Sequence, residues 1–173
     1  MTLGRTRMTE MPKPVMNIAD VPLRENAHGD GFKANIGSFG RMIGSNIGVM
    51  LHVVEPGKKA FPYHNHHVTQ ELFVVMEGEG TYRFGGQSYP VRAGDVLAAP
   101  AGGHETAHQL VNTGTKTLKY LGISYNPGAT DVAEYPDSGK FATTSRFDWA
   151  TGKGGIRHIG RAENSLDYWE GEK

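Results

Sequence analysis

Two histidines separated by a single residue mark the part of the sequence where chemistry could take place. On a β-strand, His64 and His66 would point to the same face, so both imidazoles could bind one ion. Glu71 follows His66 by five residues, and this odd spacing requires a turn or a bulge before the carboxylate can point to the same side. His64, His66 and Glu71 are therefore predicted to bind one metal ion together.

A fourth candidate ligand begins the apolar run His-Gln-Leu-Val-Asn, in which His108, Leu110 and Asn112 would share one face of a strand. Three imidazoles and one carboxylate suit Fe(II), Mn(II), Ni(II), Zn(II) or Cu(II). An octahedral ion with four protein ligands keeps two positions open for a substrate or O₂. We therefore expect one divalent transition-metal ion as cofactor. His104, in the Gly-rich loop before His108, is the alternative fourth ligand, or else a pocket-rim acid/base group.

Other side chains could surround such an ion. Tyr63, Phe73 and Asn112 are candidates for the lining of the pocket, although aromatic residues in strands are more often part of the core. Strand alternation does not decide which face His52 takes, and His67 would point away from His66. No residue beyond the metal ligands receives a catalytic role.

The composition excludes several classes of protein. The chain has 173 residues and no cysteine, so disulfides and thiolate metal sites are excluded and a reducing cytoplasm is the expected location. Lys plus Arg and Asp plus Glu both number 18, which leaves no net charge to attract nucleic acid or an anionic membrane. We find no apolar segment typical of a secretory signal or a membrane span. The expected partner is a small molecule.

Short apolar runs separated by Gly and Pro predict an all-β fold. Strands about ten residues apart, with no convincing helix between them, are typical of an antiparallel sandwich or barrel. Gly78 and Gly80 are predicted to end one strand, and Gly85-Gly86 to form the turn of a hairpin. The strands are predicted within residues 47–57, 71–80, 81–95, 95–103 and 108–127.

The ends of the chain are expected to extend this barrel. We divide the sequence into an N-terminal arm with edge strands (1–45), a barrel (46–126) and a C-terminal extension that packs on it (127–173). A short helix is predicted to start near Ser165, and Tyr168 and Trp169 are predicted to anchor the tail on the barrel. Because both ends exceed what a small barrel needs, we expect a homodimer. Size-exclusion chromatography with light scattering would test this expectation.

Two ordered motifs resemble those of the cupin family. Gly57-x6-His64-x-His66-x4-Glu71-x6-Gly78 is similar to the first motif, and Gly94-x5-Pro100-x-Gly102-x5-His108-x3-Asn112 to the second. The spacing departs from the family pattern. The family's first motif has five residues between its Gly and its first His, and this chain has six; the second motif has two residues between its Gly and its His, and this chain has five. Other segments, such as PYHNHH and the terminal DYWEGE, are similar to a group of uncharacterised bacterial single-domain cupins.

The resemblance implies a double-stranded β-helix (jelly-roll) barrel, with the metal among inward-facing side chains near one mouth. Dioxygenase, isomerase and decarboxylase or lyase chemistry all occur on this fold, so the fold does not choose among them. The first hypothesis is a metal-dependent enzyme acting on a small acid, diol or keto-enol. The alternatives are a non-catalytic binding or sensor protein and, less favoured, a storage-like cupin.

Overall fold

A computed structural model describes residues 14–40, 46–128, 130–147 and 152–173, and these residues confirm the all-β prediction. Most strands are short and end at Gly, Pro or Asn, as the sequence pattern predicts. The strands are β1 (Arg24–His28), β2 (Phe32–Ser38), β3 (Ile47–Val54), β4 (Asn65–His66), β5 (Gln70–Glu77), β6 (Glu79–Phe84), β7 (Gln87–Arg92), β8 (Val96–Ala99), β9 (His108–Val111), β10 (Leu118–Tyr125), β11 (Thr130–Tyr135), β12 (Lys140–Ser145) and β13 (Ile156–Gly160).

Two sheets enclose the hydrophobic core. One is six-stranded, in the order β1-β2-β3-β10-β5-β8, and the other is three-stranded, in the order β7-β6-β9. Side chains from both sheets pack in one cluster, because alternate residues of each strand point inward. Its fully buried members include Val54, Val75 and Leu118, and Tyr82 and Leu110 contribute from the smaller sheet.

A third, four-stranded sheet, in the order β13-β12-β11-β4, brings the C-terminal extension to the barrel. Its contact with the candidate ligands is through β4, where Asn65 pairs with Glu134 and His66 with Ala133. His64 forms an isolated bridge with His108, in which each backbone N–H donates to the other residue's carbonyl. The two imidazole-bearing segments are thus fixed side by side by main-chain hydrogen bonds.

The predicted break between His66 and Glu71 is present. β4 ends at His66 and β5 begins at Gln70, so residues 67–69 lie outside the strands and reset the alternation. Glu71, Phe73 and Val75 then point toward the interior, because Val75 is a core residue and the other two share its face.

Two local predictions are wrong. Gly80 does not end a strand but lies inside β6, where a Cβ would stand 2.4 Å from the carbonyl oxygen of Val111. Glycine is needed there because the neighbouring backbone approaches so closely. β2 is not an edge strand, because it pairs with both β1 and β3. The remainder of the predicted edge segment, residues 41–45, and residues 1–13 of the arm lie outside the described residues.

The C-terminal tail also differs from its prediction. A single 3₁₀ turn spans Ala162–Asn164, and the chain turns again after Asp167 instead of starting a helix at Ser165. The side chains of Tyr168 and Trp169 are 83% and 70% exposed and contact each other edge-on. The prediction that they anchor the tail on the barrel is therefore wrong for the single chain. Across the described ranges, no helix has the length and apolarity that crossing a bilayer requires.

Candidate metal centre

One carboxylate oxygen is the point on which three imidazoles converge. The Nε2 atoms of His108, His66 and His64 lie 3.0, 3.7 and 4.0 Å from Oε2 of Glu71. The ligand atoms of His64, His66 and Glu71 all lie within 4.8 Å of one another. His108 is closest to the carboxylate, but its ring centroid is 6.5 Å from that of His66, so it stands at the far side of the group.

Each of these imidazoles has its other nitrogen held by an oxygen. Nδ1 of His64 donates to the carbonyl of Pro62 at 2.8 Å, and Nδ1 of His108 donates to the carbonyl of Thr106 at 3.2 Å. Nδ1 of His66 donates to Oδ2 of Asp131 at 2.7 Å. In His64 and His66, a proton fixed on Nδ1 leaves Nε2 as the nitrogen with a lone pair, which is the usual arrangement of metal-binding histidines. Nε2 of His108 donates a hydrogen bond to Oε2 of Glu71 at 3.0 Å, so a bound ion would take the place of that proton.

The spacing of the donor atoms fits a single ion. Two donors that share an ion at about 2.1 Å can lie at most about 4.2 Å apart. The separations of 3.0, 3.7 and 4.0 Å between the imidazoles and Glu71 satisfy this limit. Nitrogen and oxygen donors without thiolate suit a divalent first-row transition metal. His64, His66 and Glu71 therefore fit the ion that the sequence predicts, and His108 would have to move toward His66 to complete the set of four.

The electrostatics favour the protonation states that bind metal. Burial, together with the nearby His108 and His66, lowers the pKa of His64 to about 4, against the opposing charge of Glu71. Burial alone would raise the pKa of Glu71, but the hydrogen bond from His108 and the surrounding imidazoles lower it below its usual value. His64 is thus neutral and Glu71 ionised near pH 7, as coordination requires.

Asp131 is a functional candidate that the sequence did not reveal. Its carboxylate is buried and accepts hydrogen bonds from His66 Nδ1, from the Thr69 hydroxyl and from the Val68 backbone N–H. Burial would raise the pKa of Asp131, but these donors lower it to about 2. Burial lowers the pKa of His66, and Asp131 and Glu71 outweigh this effect and leave it raised. No motif marks Asp131, because it lies on β11, far from the ligands in sequence.

The space beside the imidazoles is narrow. A cavity of about 20 Å³ lies against His64 and His108, and Phe73 is part of its wall, so it has room for about one water molecule. Tyr63 is not among the residues that line this cavity. Its hydroxyl accepts a hydrogen bond from Gly86 N–H, and its ring lies under the guanidinium of Arg83. Tyr63 therefore stabilises the hairpin turn instead.

Asn112, the other candidate for the pocket lining, also has a structural role, although it shares the face of His108 as strand alternation predicts. It is fully buried, and its side-chain amide donates to the carbonyls of Val54 and Lys116. Its Oδ1 accepts from the backbone N–H of Gly114. Asn112 holds the turn between β9 and β10 and does not line the cavity.

His104, the alternative fourth ligand, lies in a different group. Its side chain is 66% exposed, and its Nε2 is 3.6 Å from Oε1 of Glu134. Oε2 of the same carboxylate accepts from Asn65 and His67. Asn65 and His67 flank His66 in the sequence, so they point to the opposite side of the β4 segment. The structure therefore places His108, and not His104, against Glu71.

His52 is a buried imidazole on the inner face of β3. Its ring stacks on Tyr120 at 4.5 Å and meets Phe61 edge-on, and its Nδ1 has no hydrogen-bond partner. Burial lowers the pKa of His52 to about 4, although the charge of Glu71 opposes this shift. Above that pH, His52 is therefore a neutral member of the aromatic packing beside the metal centre.

We expect His52 to make folding sensitive to acid. The unfolded chain binds this proton below about pH 6.5 and the folded chain only near pH 4, so His52 should contribute about 1.4 kcal/mol per pH unit to the fall in the free energy of unfolding between these values. His64, whose pKa is also lowered to about 4, should contribute a similar amount. This stability is complete above pH 6.5 and is lost as the pH falls toward 4. In both His52→Phe and His52→Gln, the free energy of unfolding should depend less steeply on pH than in the wild type. Urea unfolding of the metal-free protein at a series of pH values measures this dependence. A pH dependence of the free energy of unfolding equal to that of the wild type would contradict the burial of a neutral imidazole.

Comparison with known proteins identifies the central part of the chain. Residues 50–124 match the family described as Cupin domain. This span contains His64, His66, Glu71 and His108 and ends before Asp131.

Two curated relatives match parts of the chain. An uncharacterized protein of Methanocaldococcus jannaschii is 31% identical over 82 residues, which are 47% of this chain and 62% of that protein. The oxalate-binding protein of Thermotoga maritima is 32% identical over 60 residues, which are 35% of this chain and 47% of that protein. The matched segments thus cover about half to three fifths of these relatives' length.

A solved structure from Acidithiobacillus ferrooxidans, named as a candidate sugar phosphate isomerase, is similar over nearly the whole chain. The TM-score is 0.74 at 26% identity, and the match covers 90% of this chain and 96% of that one. A match of this extent reaches beyond residue 124, so part of the C-terminal extension has a counterpart in that protein.

Proposed function

We propose, from the match of residues 50–124 to the cupin domain family, that this protein is a metal-dependent enzyme acting on a small polar molecule. One divalent ion would be held by His64, His66, Glu71 and His108. The observation that carries this proposal is the convergence of three Nε2 atoms on one carboxylate oxygen, with every Nδ1 already engaged. When bound, the ion would polarise a substrate oxygen and stabilise negative charge as it develops.

The protein's own residues would orient the substrate and limit water. Pro62 and Thr106 hold the rings of His64 and His108 through backbone carbonyls, which a side-chain rearrangement cannot easily displace. Phe73 closes one side of the small cavity with an apolar ring. Exclusion of water strengthens the electrostatic interactions of a charged centre. A substrate with two neighbouring oxygens, such as a hydroxy-carbonyl compound, is larger than this cavity and would reach the ion from the side on which the His64, His66 and Glu71 side chains are 16%, 22% and 19% exposed.

Among the reactions open to such a centre, we favour isomerisation of a hydroxy-carbonyl compound. This reaction moves a proton between neighbouring carbons and needs no oxidant. The support is the similarity, at 26% identity and over 90% of the chain, to the protein named as a candidate sugar phosphate isomerase. The resemblance extends over the barrel and beyond it, whereas the matches to the curated relatives cover less than half of this chain.

The test follows proton exchange and oxygen uptake together. Protein loaded in turn with Mn(II), Fe(II), Ni(II) or Zn(II) is incubated in D₂O with a panel of aldose and ketose phosphates, with and without O₂. We expect interconversion with deuterium entering next to the carbonyl, seen by NMR, and no oxygen consumption. The Glu71→Ala protein, which lacks the central carboxylate, is the negative control. Stoichiometric oxygen uptake would identify a dioxygenase and contradict the isomerase proposal.

A second candidate is a protein that binds a small dicarboxylate without converting it. The relative from Thermotoga maritima, described as an oxalate-binding protein, supports this alternative over a 60-residue match. Calorimetric titration of the metal-loaded protein with oxalate would distinguish the two. Saturable binding that needs the metal and leaves oxalate intact, with no isomerisation of any sugar phosphate, would favour the binding protein.

A further inference from the structure

The three imidazoles of the metal centre differ in what holds their Nδ1 atoms. His64 and His108 donate to neutral backbone carbonyls, whereas His66 donates to the carboxylate of Asp131 at 2.7 Å. The pair is shielded, since the side chains of His66 and Asp131 are 22% and 7% exposed. A charge-assisted hydrogen bond of this kind is shorter and stronger than one to a carbonyl.

We propose that Asp131 is a positioning residue of the metal centre: it fixes His66 with Nε2 free and supplies the second negative charge that balances a divalent ion. This inference rests on the proposed function. It extends the centre to β11, which lies outside the residues that match the cupin family.

Charge balance gives the first argument. An ion with two positive charges faces neutral imidazoles from His64 and His108 and a single negative charge from Glu71. Asp131 brings the total negative charge to two, at a distance of one imidazole ring. A buried centre without net charge avoids the cost of an uncompensated charge in a poorly hydrated site.

The placement of Asp131 gives the second argument. Its carboxylate is fixed by two donors within the break between β4 and β5, since Oδ1 accepts from Val68 N–H and Oδ2 from the Thr69 hydroxyl. Thr69 in turn accepts from the side-chain amide of Asn126, so its hydroxyl proton is committed to Asp131. The carboxylate therefore has one orientation available, in which Oδ2 faces the ring of His66.

The experiment compares the full-length wild type with Asp131→Asn and Glu134→Gln. Glu134→Gln is the matched control, because it removes a carboxylate charge from the same strand, β11, where that carboxylate accepts a hydrogen bond from His67, a histidine outside the metal centre. Zn²⁺ affinity is measured by competition with a chromophoric chelator at neutral pH. We expect Asp131→Asn to weaken Zn²⁺ binding by about 10- to 100-fold, and Glu134→Gln to change it by less than about threefold.

A second measurement does not depend on metal. In the metal-free wild type at weakly alkaline pH, the ¹⁵N chemical shifts should show His66 with its proton on Nδ1. A proton on Nε2 would overturn the proposal, and this decides the matter even where Asp131→Asn does not fold. Unchanged Zn²⁺ affinity in Asp131→Asn, or an equal loss in Glu134→Gln, would also overturn it. A wild-type protein with no affinity for divalent ions would instead overturn the proposed function itself, and the two failures are therefore distinct.

Discussion

Replacement of Glu71 by alanine should remove most of the metal bound by this protein. Its Oε2 is the atom within 4.0 Å of all three imidazole Nε2 atoms, and it carries the negative charge nearest to the ion. Loss of a group that only supports a ligand costs about 10- to 100-fold in affinity, so loss of the ligand itself should cost more. His66→Ala should have a similar effect. Elemental analysis after equilibration with the ion measures both results.

Glu77→Ala is the matched control for this substitution. Glu77 lies on the same strand, β5, but is exposed and pairs with Lys119. This variant should bind metal as the wild type does. Added metal should raise the unfolding midpoint of the wild type and of Glu77→Ala, because an ion that binds only the folded state stabilises it by mass action. It should leave the midpoint of Glu71→Ala unchanged. Full metal content in both Glu71→Ala and His66→Ala would show that the site is assigned wrongly.

Substitution of Asn112 by alanine should cost stability and not metal affinity. The change removes three hydrogen bonds made by a fully buried side chain, to Val54, Lys116 and Gly114. We expect a loss of about 3 kcal/mol in the free energy of unfolding, or roughly 10 °C in the midpoint of a protein of this size. Urea unfolding of the metal-free protein measures the first, and chelator competition at low temperature measures the affinity of the folded protein.

Asn26→Ala provides the comparison for Asn112→Ala. Asn26 makes one long hydrogen bond, 3.4 Å, from the exposed strand β1 to the carbonyl of Ala60. Its removal should cost less than about 1 kcal/mol. A large loss of metal affinity in Asn112→Ala, with little loss of stability, would mean that Asn112 belongs to the pocket after all.

Rules that act over a few residues explain what could be predicted from the sequence. The turn between His66 and Glu71 follows from their odd spacing, and β5 indeed begins at Gln70. The shared inward face of Glu71, Phe73 and Val75 follows from strand alternation. The hairpin at Gly85-Gly86 follows from turn chemistry, and β6 and β7 pair across it.

The remaining features depend on contacts between distant segments. Alternation places Asn112 on an inward face, but it does not show that the carbonyls of Val54 and Lys116 lie within hydrogen-bond distance of its amide. The role of Asn112 in holding the turn between β9 and β10 could therefore not be predicted. Asp131 lies on a strand that has no motif, and only the pairing of β11 with β4 brings it to His66. For Gly80, a turn was the simplest interpretation, since the approach of Val111 is visible only in three dimensions. Tyr168 and Trp169 are predicted to anchor the tail on the barrel, but nothing in the described part of the chain covers them.

The pairing of β4 with β11 has a consequence for how such proteins can diverge. All four proposed ligands lie within the cupin match, but the acceptor for His66 comes from the strand that follows it. A recombination event at the end of the barrel would transfer the imidazoles and leave their carboxylate partner behind. His64, His66, Glu71, His108 and Asp131 should therefore be inherited together, as one unit of exchange, even though Asp131 lies beyond the residues that match the cupin family.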